Sequence, residues 1–153
     1  MHPLPLESEA KLNKLLAKLV AFFFILTCMV YLFGADLKHL QGKALSDSWA
    51  DKEFRTAVSP IFKTRSDLQN INDSFQISKG FLQRGDFMVI KGRAVHSGST
   101  KEGIIAVSID RKHAYAAILK KDDKIVRFGY DTLKDLPVEV SIYFDEVEKL
   151  ERH

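Results

Sequence analysis

Between Leu15 and Ala35 the chain reads LLAKLVAFFFILTCMVYLFGA, with Lys18 as its only charge. At 1.5 Å per residue such a run reaches about 30 Å, the thickness of a bilayer's hydrocarbon core. Its apolar residues surround the helix axis instead of forming one stripe, which argues against a buried helix of a globular fold. Lys18 stands one turn inside the N-terminal end, from where its ammonium reaches the headgroups, and Tyr31 and Phe33 fall near the opposite interface. The expectation is a single transmembrane helix over 15–35, in contact with membrane lipid, after a short cytoplasmic tail over 1–14.

A cleaved signal peptide is the main rival, because Lys11, Lys14 and Lys18 precede an apolar core. Cleavage after Ala35 would put bulky Phe33 where a small residue is wanted, and the run exceeds a usual signal core. A lipoprotein signal fails as well, since Thr27 precedes Cys28 and apolar residues continue past it. Lys38 and Lys43 on the far side nearly balance the three N-terminal lysines. A short lysine-bearing tail usually stays cytoplasmic, which places the C-terminal domain in the periplasm or the extracellular space.

Roughly 118 residues remain from Asp36 onward, enough for one modest core. Both signs of charge are interspersed from Asp36 onward, so this part is nearly balanced. Only Arg111 to Arg127 leans basic, with Asp122 and Asp123 in its middle, so nucleic acid is not expected as a partner. The one cysteine, Cys28, lies in the apolar run, which leaves the domain without a disulfide or a cysteine zinc site. His96 and His113 lack metal-ligand spacing, and neither a metal nor a cofactor is expected.

The organisation reads as α+β. Asp36 to Lys43 is expected as a polar tether, followed by a short amphipathic helix capped by Ser46 or Asp47. Trp49, Phe54, Ala57, Val58 and Ile61 recur near helical spacing, and Pro60 ends the regular part. Trp49 is expected in the core. Lys63 to Asn72 (KTRSDLQNIN) reads as a polar connector, completing a region of tether and helix over 36–72. The β domain, 73–153, contains strand signals at Phe75–Ser78, Asp86–Ser97, Gly103–Asp110, Ala114–Lys120, Lys124–Tyr130 and Val138–Phe144. Its links are too brief for crossover helices, so the expectation is an antiparallel meander of five or six strands, with the helix on one face. Glu146 to Arg152 adds a terminal helical turn.

No constellation for catalysis assembles in the sequence. His96 stands beside Ser97 and Ser99, but neighbouring strand residues point to opposite faces, and Ser97 to Gly103 reads as a flexible hairpin loop. Asp122-Asp123 between lysines reads as a solvated turn, and no glycine loop opens a helix to hold phosphate. The chain is therefore expected not to be an enzyme; a small hydrolase using His96 or His113 is the reading that measured turnover would revive. The polar loop between two apolar strands is the candidate partner-binding site: His96, Ser97, Ser99, Thr100, Lys101 and Glu102.

Gly85-Asp86-Phe87-Met88-Val89, the loop with His96, Ile105-Ala106-Val107, His113-Ala114-Tyr115 and Phe128-Gly129-Tyr130 follow one another between Trp49 and Phe144. In this order the run resembles the periplasmic inhibitors of vertebrate-type lysozyme. The resemblance implies a loop whose histidine enters the lysozyme cleft, with His96 as the counterpart. That family closes the loop with two cysteines, and both are missing here, so the resemblance extends to fold before activity. The functional expectation is a single-pass, membrane-anchored extracytoplasmic module that binds another envelope protein, as an inhibitor or immunity-type protein acting on an envelope enzyme. The alternative is a structural or assembly subunit of a membrane complex.

Overall fold

A computed structural model of the chain describes residues 15–22, 36–95 and 100–149. The chain divides into two units, Met1–Ala35 and Asp36–His153. The expected transmembrane helix is overturned in the first: among the described residues, no helix is long and apolar enough to cross a membrane. The helical residues 15–22 rise only about 12 Å at 1.5 Å per residue, and the rest of the expected span, 23–35, lies outside the described residues. The single-pass anchor, the lipid contact through 15–35, the periplasmic or extracellular placement and the envelope-protein partner inferred from them lose their basis together.

The second unit is α+β, as its strand signals and short helix predict, but it begins earlier than a tether would allow. Leu37–Leu40 forms a 3-10 turn, and both leucines are fully buried. The Leu37 N–H donates to Ile109 O at 3.2 Å, and the Gly42 N–H to Phe81 O at 2.8 Å. These bonds hold Asp36 to Lys43 against the sheet, where a polar tether was expected.

The amphipathic segment forms two helices, α1 (Leu45–Ser48) and α2 (Lys52–Val58). Neither Ser46 nor Asp47 is a cap: Ala44 precedes α1 without a side-chain bond. Asp51 starts the second helix by accepting from the Glu53 and Phe54 N–H groups at 2.9 and 3.0 Å. The Lys63–Asn72 connector contains a further helix, α3 (Arg65–Asp73). A capping box begins it, with Asp67 N–H to Thr64 Oγ1 at 3.1 Å and Thr64 N–H to Asp67 Oδ2 at 2.9 Å. Trp49 packs edge-on against Phe54, 5.2 Å between ring centroids, and donates its indole N–H to Asn72 at 2.6 Å.

Among the described residues the sheet has six strands: β1 (Ile77–Ser78), β2 (Leu82–Arg84), β3 (Phe87–Arg93), β4 (Thr100–Ser108), β5 (Ala114–Lys120) and β6 (Ile125–Phe128). The order is β1-β3-β4-β5-β6, with β2 also on β3, and all pairs are antiparallel. The expected meander therefore holds from β3 to β6.

Val138–Phe144 is not a strand. It belongs to α4 (Val138–Lys149), because Val140, Phe144 and Val147 form an i, i+4, i+7 stripe that is fully buried. Val138 and Ile142, which alternation would turn inward, are 84 % and 62 % exposed. Helix α4 covers one face of the sheet through Phe87, Val89, Ile104, Ala106, Ala117 and Leu119. The N-terminal helices cover the other through Met88, Ile90, Ile105, Ala116 and Ile118. Burial on both faces explains why β3 to β5 are nearly continuous apolar runs. Gly92 and Gly103 oppose each other across β3 and β4, and a Cβ on either would meet Phe75 at 2.5 or 2.7 Å. The glycine pair thus makes the bed on which that ring lies.

Candidate functional site

The expected binding loop closes the β3–β4 hairpin. His96, Ser97 and Ser99 lie outside the described residues; Thr100 opens β4, with its side chain outside the description. Lys101 pairs with Asp123 on the β5–β6 turn, and Glu102 stands opposite Arg93. The Ala94 N–H donates to Lys101 O at 2.8 Å and fixes the loop's base.

His113 lies at the other end of β4. That strand has nine residues, about 30 Å of extended chain, so Lys101 and Glu102 do not share a site with His113. The His113 ring stacks parallel on Tyr115, with centroids 6.5 Å apart. Beside it, Asp110 accepts from the Ser108 hydroxyl at 2.7 Å and from the Lys112 N–H at 3.2 Å. The Ser108 bond and the Lys112 ammonium hold its carboxyl down at about 2, so Asp110 stays an ionised brace of the turn. Asp122 pairs with Lys124 at 2.8 Å, and Asp122 and Asp123 are each held by a lysine on the surface instead of facing one another in a cleft. Among the described residues no three metal-ligating side chains gather.

The structure does bring together a set of residues the sequence reading missed. Along β3, Val89, Lys91 and Arg93 face the α4 side, but helix α4 covers only the first part of that row. In register with them, Arg84 lies opposite Phe87, Leu82 opposite Val89, and Ile77 opposite Arg93. A groove results between α4 and the β1/β2 edge. Its inner part is a cavity of about 240 Å³ lined by Leu82, Val89, Tyr143 and Gly80 with Lys79, Arg84, Lys91 and Glu146. A shallower cavity of about 520 Å³ continues it, shares Lys79 and Lys91, and adds Ile77, Arg93 and Glu102.

The charges in this groove are held unequally. The Arg84 guanidinium carbon lies 5.5 Å from the Tyr143 ring centroid, a cation–π contact, and its Nη1 donates to Gln83 O at 3.1 Å. Lys91 bridges to Glu146 on α4 at 2.8 Å, an exposed pair that water screens and that is worth at most about 1 kcal/mol. Among the described residues, Lys79 and Arg93 enter no ion pair. The arrangement offers an apolar floor with cations at its rim, suited to a ligand that carries negative charge on an apolar body. Of this groove the sequence shows only Val89-x-Lys91-x-Arg93, one row of a single strand in which apolar positions pass into charge.

A third cavity, about 520 Å³, opens near β6 and is lined by Lys63, Asp67, Arg127, Gly129 and Asp131 among others. Its two cations face two carboxylates, and several of these groups already have structural work. Asp67 closes the α3 capping box, and Arg127 donates to both oxygens of buried Glu148 at 2.9 and 2.7 Å. The Tyr130 hydroxyl donates to the same carboxylate at 2.8 Å. Burial first, and then this carboxylate, raise the Tyr130 phenol far above its usual range, so it remains a donor. Such a site favours no one ligand charge.

Compared with known proteins, the chain matches no family model, no curated protein and no solved structure. The likeness to the lysozyme inhibitors gains no support from relatives and meets no contradiction from them.

Proposed function

We propose that this chain is a binding domain without chemistry of its own, and that its groove beside α4 holds an organic anion. The apolar body rests on Leu82, Val89 and Tyr143, while its carboxylate or phosphate is met by Lys79 and Arg84. One observation carries the reading: three cations converge on a mostly apolar cavity that contains a single acid, Glu146. An arginine already held by a ring and a backbone carbonyl has less freedom to lose, which reduces the ordering cost of binding a forked anion. Lys79 adds a mobile charge and Lys91 the far wall.

Titration of the full chain with 4-phenylbutyrate and phenyl phosphate, followed by amide NMR, tests this. Saturable shifts are expected at Gly80, Leu82, Arg84, Val89 and Tyr143. The neutral 4-phenylbutanol should bind about tenfold more weakly or worse, since a desolvated charged contact is worth about 1.4 kcal/mol or more. Arg84→Ala should reduce the anion's affinity by a similar factor. Equal shifts from acid and alcohol, or shifts confined to other surfaces, would overturn the assignment.

A further inference from the structure

We infer that the natural occupant of this groove is a linear acidic peptide segment, in extended conformation, whose groove-facing side chains, every second residue, are alternately acidic and apolar. This rests on the anion-binding reading above and identifies the ligand class. The first observation is length. Arg84 stands at the level of Phe87 and Arg93 six residues further along the same strand, so the cations are spread over about 20 Å on one face. A monoanion of the size of the inner cavity reaches only one end of that row.

The second observation is alternation. Leu82 is 41 % and Ile77 46 % exposed, and both stand on this face beside the cations of β2 and β3. An extended peptide of about seven residues covers the same 20 Å and repeats its side chains every second residue on one side. It can thus set carboxylates at its first and fifth residues against Arg84 and the Lys91/Arg93 pair, and apolar residues at its third and seventh over Leu82 and Ile77. The third is charge. Lys79, Arg84, Lys91 and Arg93 outnumber Glu102 and Glu146 along the two connected cavities. An acidic strand complements that excess and a basic one is repelled. A nucleic acid would also bring negative charge, but it would need a broader basic surface than this narrow row provides.

The test uses the full chain and a fluorescent eight-residue peptide with Glu at positions 1 and 5, Leu at 3 and 7 and Ser at the others, read by anisotropy. The peptide should bind at least about tenfold more tightly than 4-phenylbutyrate, because it engages both cavities. Arg93→Glu should weaken peptide binding about tenfold or more while leaving the phenylbutyrate shifts intact. Glu102→Lys should tighten peptide binding about threefold or more, a gain that partial unfolding does not imitate. If phenylbutyrate binds but the peptide is no tighter and ignores both substitutions, the peptide inference fails while the anion site stands. If neither ligand perturbs the groove, both fail. An oligonucleotide of equal charge that binds as tightly as the peptide would show a general polyanion site and overturn the choice of a peptide.

Discussion

His39 shows how one side chain ties two stretches of the chain together. Its Nδ1 lies 2.8 Å from Asp36 O, and its Nε2 meets the Asp51 carboxylate. Both partners only accept hydrogen bonds, so the ring satisfies them best with both nitrogens protonated. The Asp51 carboxylate, and then the Asp36 carbonyl, raise the His39 pKa above 6.5. Because the folded state holds this proton more tightly, the contribution is complete below 6.5 and is lost as pH rises through the raised folded value. Asp51 runs the other way. Burial pushes its carboxyl up, but the Phe54 N–H, His39 and the Glu53 N–H outweigh that and lower it below 3.8. Its contribution is present above 3.8 and disappears as pH falls through the lowered value. The latch between the Leu37–Leu40 turn and the start of α2 is therefore complete between those limits. Thermal melts at low salt should give a Tm about 1–5 °C higher near pH 5.5 than near pH 9 for this pair alone. His39→Gln should remove most of that difference; a variant that keeps the full pH dependence would assign it to other groups.

At the scale of elements, α4 depends on one edge strand for its last turn. Glu148 sits next to the helix's final residue, Lys149, where the macrodipole disfavours negative charge. Yet its side chain is buried, and Arg127 of β6 and the Tyr130 hydroxyl compensate it. Arg127→Met should cost about 2–4 kcal/mol in urea unfolding, because it strands a buried carboxylate. The double change Arg127→Met with Glu148→Met should cost less than Arg127→Met alone. If the double variant is the less stable, the pair is a net source of stability and the desolvation account is wrong. The same helix marks the limit of what the sequence discloses. Strand β5 was legible to the residue as Ala114–Lys120 because apolar residues fill a short run between two turn signals. In Val138–Phe144, Val-x-Val-x-Ile-x-Phe satisfies a period of two, whereas the helical stripe becomes visible only when the window extends to Val147. Helix α3 was hidden differently. Only Ile71 of its nine residues is buried, so it has little apolar stripe, although Thr64-x-x-Asp67 is a local start signal. The groove as a whole was illegible for a third reason: Arg84, Lys91 and Arg93 come together through strand register and the placement of α4, whose own sequence alternates like a strand.

For the whole molecule, the decisive fact is that two apolar clusters share one sheet. Met88, Ile90, Ile105 and Ile118 point to the N-terminal helices, while Val89, Ile104, Ala106 and Ala117 on the same strands point to α4. Stripping either helical layer would expose one side of strands whose other side is still packed, and would leave a six-stranded sheet with an apolar face in water. The hydrophobic cost of such an intermediate is that of a whole layer, so the unit from Asp36 onward should unfold in one step. The single tryptophan permits a direct comparison, because Trp49 reports only the N-terminal helical side. Amide signals of Val140, Phe144 and Val147 report the α4 side. In urea both sets should give the same midpoint, with a common slope of about 1–3 kcal/mol/M. Separation of the two midpoints by about 0.5 M or more, on a transition of that slope, would mean that one layer leaves before the other and that the sheet is stable with only one face covered.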